Sequence, residues 1–153
     1  PTRRSSDLKI ENPKKYSISD GKIHIAILAS VQYRKGQDIA IDALLKLHDD
    51  EKTKIFLDIM GTGSGLEPLQ EKVAKSGLAE CVKFYGAVLD AEKKLPLEDV
   101  FLLPSRADTV PIAVLEAMRA SLPIFATSVG EIPEMIAGCG NLIESTARKS
   151  VFA

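Results

Sequence analysis

The sequence predicts a three-layer α/β fold, with a parallel sheet of about six strands between two layers of helix. Three observations carry that expectation. From Lys22 onward, short apolar runs alternate with segments of helical period, punctuated by Gly, Pro and polar clusters. The first run, Ile23–Leu28 (IHIAIL), is almost continuously apolar, as a strand covered on both faces must be. A length of 153 residues with 45% apolar content is enough for one domain with a sizeable core.

Each element has its own signal. Gln37–Leu47 places Ile39, Ala40, Ala43, Leu44 and Leu47 at helical spacing. Residues 48–53 (HDDEKT) read as a solvated connection to a second strand, Ile55–Met60, which Gly61-Thr-Gly-Ser-Gly ends. Leu66–Ser76 reads as a helix, with Pro68 in its first turn and Gly77 as its stop. Val82–Tyr85 is a third strand ending at Gly86, Ala91–Lys94 a short helix, and Val100–Leu103 a strand that Pro104 closes. Ser105–Val110 is polar and loop-like. Pro111 suits a first helical position, opening a helix over Ile112–Ala120. Pro123–Ala126, Ile132–Ala137 and Asn141–Ile143 follow as strand, short helix and strand. Strands separated by helices imply right-handed crossovers, and ligands of such sheets bind outside the strands' carboxyl ends, near a topological switch point. The loops that matter are therefore 29–36, 61–65, 86–90, 104–111 and 127–131.

Composition removes several function classes. A net charge of −1 and 5% aromatic residues give no electrostatic surface for nucleic acid. No apolar run approaches the roughly 20 residues that span a bilayer. Cys81 and Cys139 match no metal-ligand spacing and read as packed thiols of a reducing compartment. His24, inside a strand, reads as a satisfied core residue, and His48 as a group suited to the C-terminal dipole of the preceding helix. No Ser–His–Asp arrangement or metal-spaced His/Asp/Glu cluster is visible, so no metal is expected. Pro1–Leu8 (PTRRSSDL) looks like translated sequencing adapter and is expected to be non-native; residues 9–153 are expected to form the domain, truncated at its C-terminus.

Two acids and a basic pair are the leading chemical candidates. Glu116 sits in a helix otherwise rich in Ala113, Val114, Leu115, Ala117 and Met118, and burying an unpaired carboxylate is expensive. Its partner is either Arg119 one turn on or a ligand rich in hydroxyl groups. Arg34-Lys35-Gly36 precedes a helix, where cations and free N–H groups together make an anion site. Gly61 and the following glycines fail the dinucleotide fingerprint, because Leu66 stands where its third glycine belongs. They leave either a plain turn or backbone amides beside a ligand. Gly86 either ends its strand or admits a nucleobase. Thr127-Ser-Val-Gly130-Glu131 caps the next helix or touches a phosphate or sugar.

Leu103-Pro-Ser-Arg-Ala-Asp-Thr-Val-Pro-Ile-Ala-Val-Leu-Glu-Ala-Met, followed by Ser-Leu-Pro-Ile-Phe-Ala-Thr, resembles a pattern of Pro-Ser, an acid, Glu-Ala-Met, then Gly-x-Pro and a strand. Arg34-Lys35-Gly36 with Asp38 resembles Lys-Gly-x-Asp, and Val129–Glu134 resembles a Gly-Gly-x-Pro-Glu turn. Together these motifs, over residues 22–144, resemble the C-terminal, donor-binding domain of a GT-B glycosyltransferase, specifically glycosyltransferase family 4 (group 1). That domain is a Rossmann-like half of the GT-B fold, whose other half, the acceptor domain, is not in this sequence.

The resemblance implies sugar transfer from a UDP- or GDP-sugar to a glycan or lipid-linked acceptor in polysaccharide or glycoconjugate synthesis. It implies retention of anomeric configuration, no cofactor and no metal. Asp108 and Glu116 would be the catalytic acids, Glu116 holding the ribose hydroxyls and Asp108 facing those of the donor sugar. Lys35, with Arg34, would neutralise the diphosphate, while Val114 and Leu115 would offer backbone N–H groups to phosphate. Gly61 and Gly86 would line the donor site. The implied setting is cytoplasmic, with the inner face of the membrane open to the full-length enzyme as a peripheral location. The isolated domain would bind donor and turn over little. Three positions depart from the pattern. Ala29-Ser30 stands for Gly-Arg, removing a phosphate cation, and Ser121 stands for glycine. Asp108 stands for Glu, shorter by roughly 1.5 Å. Nucleotide-sugar epimerisation, or a degenerate domain that binds without catalysis, are the alternatives. A receiver-type module would need acids after the first strand, where Ala29-Ser30 stands.

Overall fold

The structure, a computed structural model, describes residues 20–144; the segment Pro1–Leu8 and the sequence after Glu144 lie outside the described residues. Six strands form one sheet in the order β3-β2-β1-β4-β5-β6, and every neighbouring pair is parallel. In chain order they are β1 (Ile23–Leu28), β2 (Ile55–Met60), β3 (Val82–Gly86), β4 (Val100–Leu103), β5 (Ile124–Thr127) and β6 (Asn141–Ile143). The helices are α1 (Gln37–Leu45), α2 (Asp49–Lys52), α3 (Leu66–Lys75), α4 (Ala91–Lys94), α5 (Ile112–Arg119) and α6 (Ile132–Met135). The expected three-layer Rossmann-like arrangement is the one observed.

Strand alternation divides the core into two apolar layers. Ile27, Leu57 and Ile59 point to the face covered by α1 and α3, where Ile41, Leu44 and Val73 meet them. Ala26, Phe101, Leu103, Ile124 and Ala126 point to the other face, against Val114 and Ala117 of α5 and Ile132 of α6. The connection after β1 therefore leaves to one face and that after β4 to the opposite face. Because β1 and β4 are neighbours, the switch point lies between their carboxyl ends.

Several local expectations are corrected. The segment expected to be a solvated connection contains a helical turn, α2, started by His48: its N–H donates to the Glu51 side chain at 2.9 Å. His48 thus opens α2 rather than closing α1, which ends at Leu45. Pro111 lies one step before the helix, at its N-cap with extended φ −73° and ψ 112°, because its carbonyl closes the first turn on the Val114 N–H. Cys81 is buried as expected, but Cys139 is exposed, since the Gly-Cys-Gly turn stands outside the core. The apolar pattern of α5 buries only Val114 and Ala117 fully, leaving Ile112 and Leu115 open. Ser121 follows that helix at φ 57°, a left-handed closing position that glycine would occupy without strain.

Candidate functional site

The loops after β1 and β4 meet over the switch point, and backbone contact sets how closely. The Arg34 carbonyl accepts hydrogen bonds from the N–H groups of Arg106 and Ala107, at 2.8 and 3.2 Å. A Cβ at Gly36 would fall 1.9 Å from the Pro104 carbonyl oxygen, so only glycine admits this approach. Arg106 then clamps the two loops. Its guanidinium donates to both carboxylate oxygens of Asp38 at 2.7 Å and to the Tyr33 carbonyl at 2.7 Å, and it lies 3.9 Å from the Tyr33 ring centroid. The Arg106 hydrogen bond holds Asp38 below the usual carboxylate range, and Asp38 in turn raises Arg106. Sequence reasoning noted Asp38 only as part of a motif and missed Arg106, because the pair is far apart along the chain.

This clamp brings Lys35 and Asp108 together. Lys35 Nζ lies 2.5 Å from Asp108 Oδ2, and their side chains are only 11% and 5% exposed. The Asp108 carboxylate also accepts from the buried Ser105 hydroxyl at 3.3 Å and from the Thr109 N–H at 3.1 Å. From the far side, the Thr127 hydroxyl donates to the Ser105 carbonyl at 2.5 Å and the Glu131 N–H to the Thr109 carbonyl at 3.0 Å. Residues 127–131 therefore brace the Asp108 loop, while α6 has no side-chain cap.

The other predicted residues fall into two groups. Arg34 is exposed, and its Nε donates to Gln32 at 3.0 Å. Gly61 and Gly86 are joined directly, the N–H of the first donating to the carbonyl of the second at 2.7 Å, so Gly61 offers no free amide. Val114 is likewise committed, its N–H donating to the Pro111 carbonyl at 3.1 Å with its side chain fully buried. Leu115 is half exposed. Glu116 lines a cleft of about 440 Å³ with Leu89, Lys93, Pro96, Arg119 and Ala120. Arg119 does not pair with it; that guanidinium lies 3.7 Å from Glu92 across an exposed gap. Among the described residues, no ion pair or hydrogen bond of the Glu116 side chain is present.

The fold also assembles a cluster that sequence spacing did not reveal. His24 of β1, Asp58 of β2 and Glu98, just before β4, bring ligand-type atoms within 4.8 Å of one another. His24 is not the satisfied core residue expected of it, because the second position of its strand lies near the rim and is about one-third exposed. Burial opposes its charge, yet the Asp20 hydrogen bond and the surrounding acids leave it above its usual value. Burial, helped by Asp58, pushes Glu98 up to about 7 and Tyr85 up to about 12.

Two loops joined at a switch point thus hold a buried lysine–aspartate pair, and the next helix carries a carboxylate that lines a cleft. The sequence profile of the family described as "Glycosyl transferases group 1" matches residues 9–151. The chain belongs to this family. The lipopolysaccharide core biosynthesis mannosyltransferase LpsB of Rhizobium meliloti is 30% identical over 134 residues, covering 85% of this chain and 38% of that protein. Among solved structures, the lipopolysaccharide-biosynthesis glycosyltransferase WaaG superposes with a TM-score of 0.74 at 26% identity, over 84% of this chain and 35% of that one. Anabaena HepE in complex with UDP gives 0.72 at 22% identity, over 82% and 36%, and speaks for the fold alone. This group 1 glycosyl transferase chain is a GT-B domain, and it spans about a third of the length of the curated relatives it matches. No helix among the described residues is long and apolar enough to cross a membrane.

Proposed function

We propose that this chain is the C-terminal, donor-binding domain of a retaining family 4 glycosyltransferase that takes a nucleotide diphosphate sugar and passes the sugar to a glycan or glycoconjugate. The carrying observation is a buried Lys35–Asp108 junction at the switch point, followed on α5 by the Glu116 carboxylate, which has no partner among the described residues and lines a cleft. Glu116 accepts hydrogen bonds from the ribose hydroxyls in its cleft. Lys35 meets the diphosphate, and the ammonium that Asp108 holds beforehand is already in place as the leaving group gains charge. Asp108, released from or shared with Lys35, accepts from the donor sugar's hydroxyls. The start of α5, with the Leu115 amide near it, adds dipole stabilisation to the same phosphates. The chemistry asks for no metal, because lysine and helix supply the positive charge. The carrier in this reading is UDP or GDP. The reaction itself needs an acceptor-binding half, so this chain alone binds donor weakly and turns over little.

Calorimetry with UDP- and GDP-sugars tests this reading. The expected result is weak binding of one carrier, reduced about 10- to 100-fold by Glu116→Ala, the range for losing hydrogen bonds to a charged group. Failure to bind any nucleotide sugar removes the reading.

A further inference from the structure

His24, Asp58 and Glu98 lie away from the donor site, and their chemistry is not used by the proposed transfer. Asp58 is the fourth residue of β2 and Glu98 lies in the turn that leads into β4, both almost fully buried at 3% and 5% exposure. His24 Nδ1 lies 3.7 Å from Asp58 Oδ2. Its other nitrogen, Nε2, lies 3.2 Å from Asp20 Oδ2. A carboxylate on the far nitrogen of a histidine is the arrangement that fixes the ring and its tautomer in metal sites.

The donor set of the cluster, one imidazole and two carboxylates, suits a cation. Two buried carboxylates face one imidazole; Lys94, over the Tyr85 ring, is near enough to favour the charge of Glu98, while Lys22 lies over Phe56. The Glu98 carboxylate reaches into the cluster, yet its Oε2 is buried without a hydrogen-bond partner. A buried acceptor left unmade is costly. We propose that His24, Asp58 and Glu98 bind one divalent transition-metal ion.

One imidazole nitrogen and two carboxylate oxygens suit zinc or manganese, with solvent filling the open side where His24 reaches the surface. Bonds of about 2.1 Å place tetrahedral ligand atoms roughly 3.4 Å apart, so the widest pair, at up to 4.8 Å, closes by at most about 1.4 Å. Side-chain rotation of His24 at the rim and of Glu98 on its turn supplies that movement. The ion ties the β3–β4 crossover to β1 and β2, which makes it a structural site independent of sugar transfer.

Titration calorimetry with Zn²⁺, and separately Mn²⁺, on the chelator-treated chain tests the site, in a Cys139→Ser background that removes the exposed thiol. One equivalent is expected to bind and to raise the melting temperature. Glu98→Gln and Asp58→Asn, which keep size and shape, are each expected to abolish that binding. His24→Gln, at a partly exposed position, is expected to weaken it by at least about tenfold. It keeps the test decisive if either buried variant fails to fold. Absence of a tight equivalent in the parent chain overturns the proposal. So does binding that persists unchanged in folded His24→Gln or Glu98→Gln.

Discussion

At the Lys35–Asp108 junction the charges already have partners, whereas in the cleft beside α5 the Glu116 carboxylate has none among the described residues. Both lie on the segment that runs from β4 through α5, yet they answer different physical demands. Asp108 is almost fully buried, so the chain must supply donors, and it does so from Lys35, Ser105 and Thr109. Glu116 is partly exposed, so solvent can satisfy it without a protein partner. A site can thus hold its buried charge in a preformed pair while leaving an outer carboxylate open for recognition. The junction should carry stability and the cleft should carry affinity.

The sharpest way to break this contrast is Lys35→Met, which leaves Asp108 buried with no cation. Urea unfolding should show a loss of about 3 kcal/mol, as for other buried pairs that lose one member. Adding Asp108→Asn should restore much of it, because the stranded charge is then gone. An unchanged midpoint in the single variant would mean that the junction opens to water.

A smaller effect is expected one layer out. Arg106→Gln removes the clamp on Asp38 and should cost about 1 kcal/mol, since the pair is partly exposed and screened. The folded Asp38 is held below its usual 3.8, so the clamp's contribution is complete above that pH. It is lost as pH falls through the lowered value. The stability difference between parent and variant should therefore be constant near neutrality and shrink on acidification below pH 3.8. A difference that persisted in acid would assign the effect to Tyr33 stacking instead.

The smallest expected change lies in the cleft. Glu116→Ala should leave thermal stability within about 0.5 kcal/mol, because a partly exposed carboxylate without partners holds nothing together. A clear loss would show that it supports α5, and the contrast with Asp108 would collapse.

All six strands were legible in the sequence because each is an apolar run ended by glycine, proline or a polar turn. The ends moved by a residue or two, as at α1, where Lys46 and Leu47 fall outside the helix. The candidate positions on the loops after β1 and β4 were legible too, because an α/β sheet binds ligands at its carboxyl edge. Their relations were not. Periodicity is a one-dimensional signal, and it cannot say that Arg106 reaches Asp38, that Gly61 bonds to Gly86, or that Arg119 turns to Glu92.

The sequence by itself determined the order of the elements, the parallel sheet and the motifs of the glycosyl transferases group 1 family, since these depend on local pattern and spacing. Only the tertiary structure decided which charges are neutralised and which stand open. It also gathered His24, Asp58 and Glu98 from three distant segments. Burial and pairing are properties of what folds against a residue, and strand order places those neighbours far away along the chain.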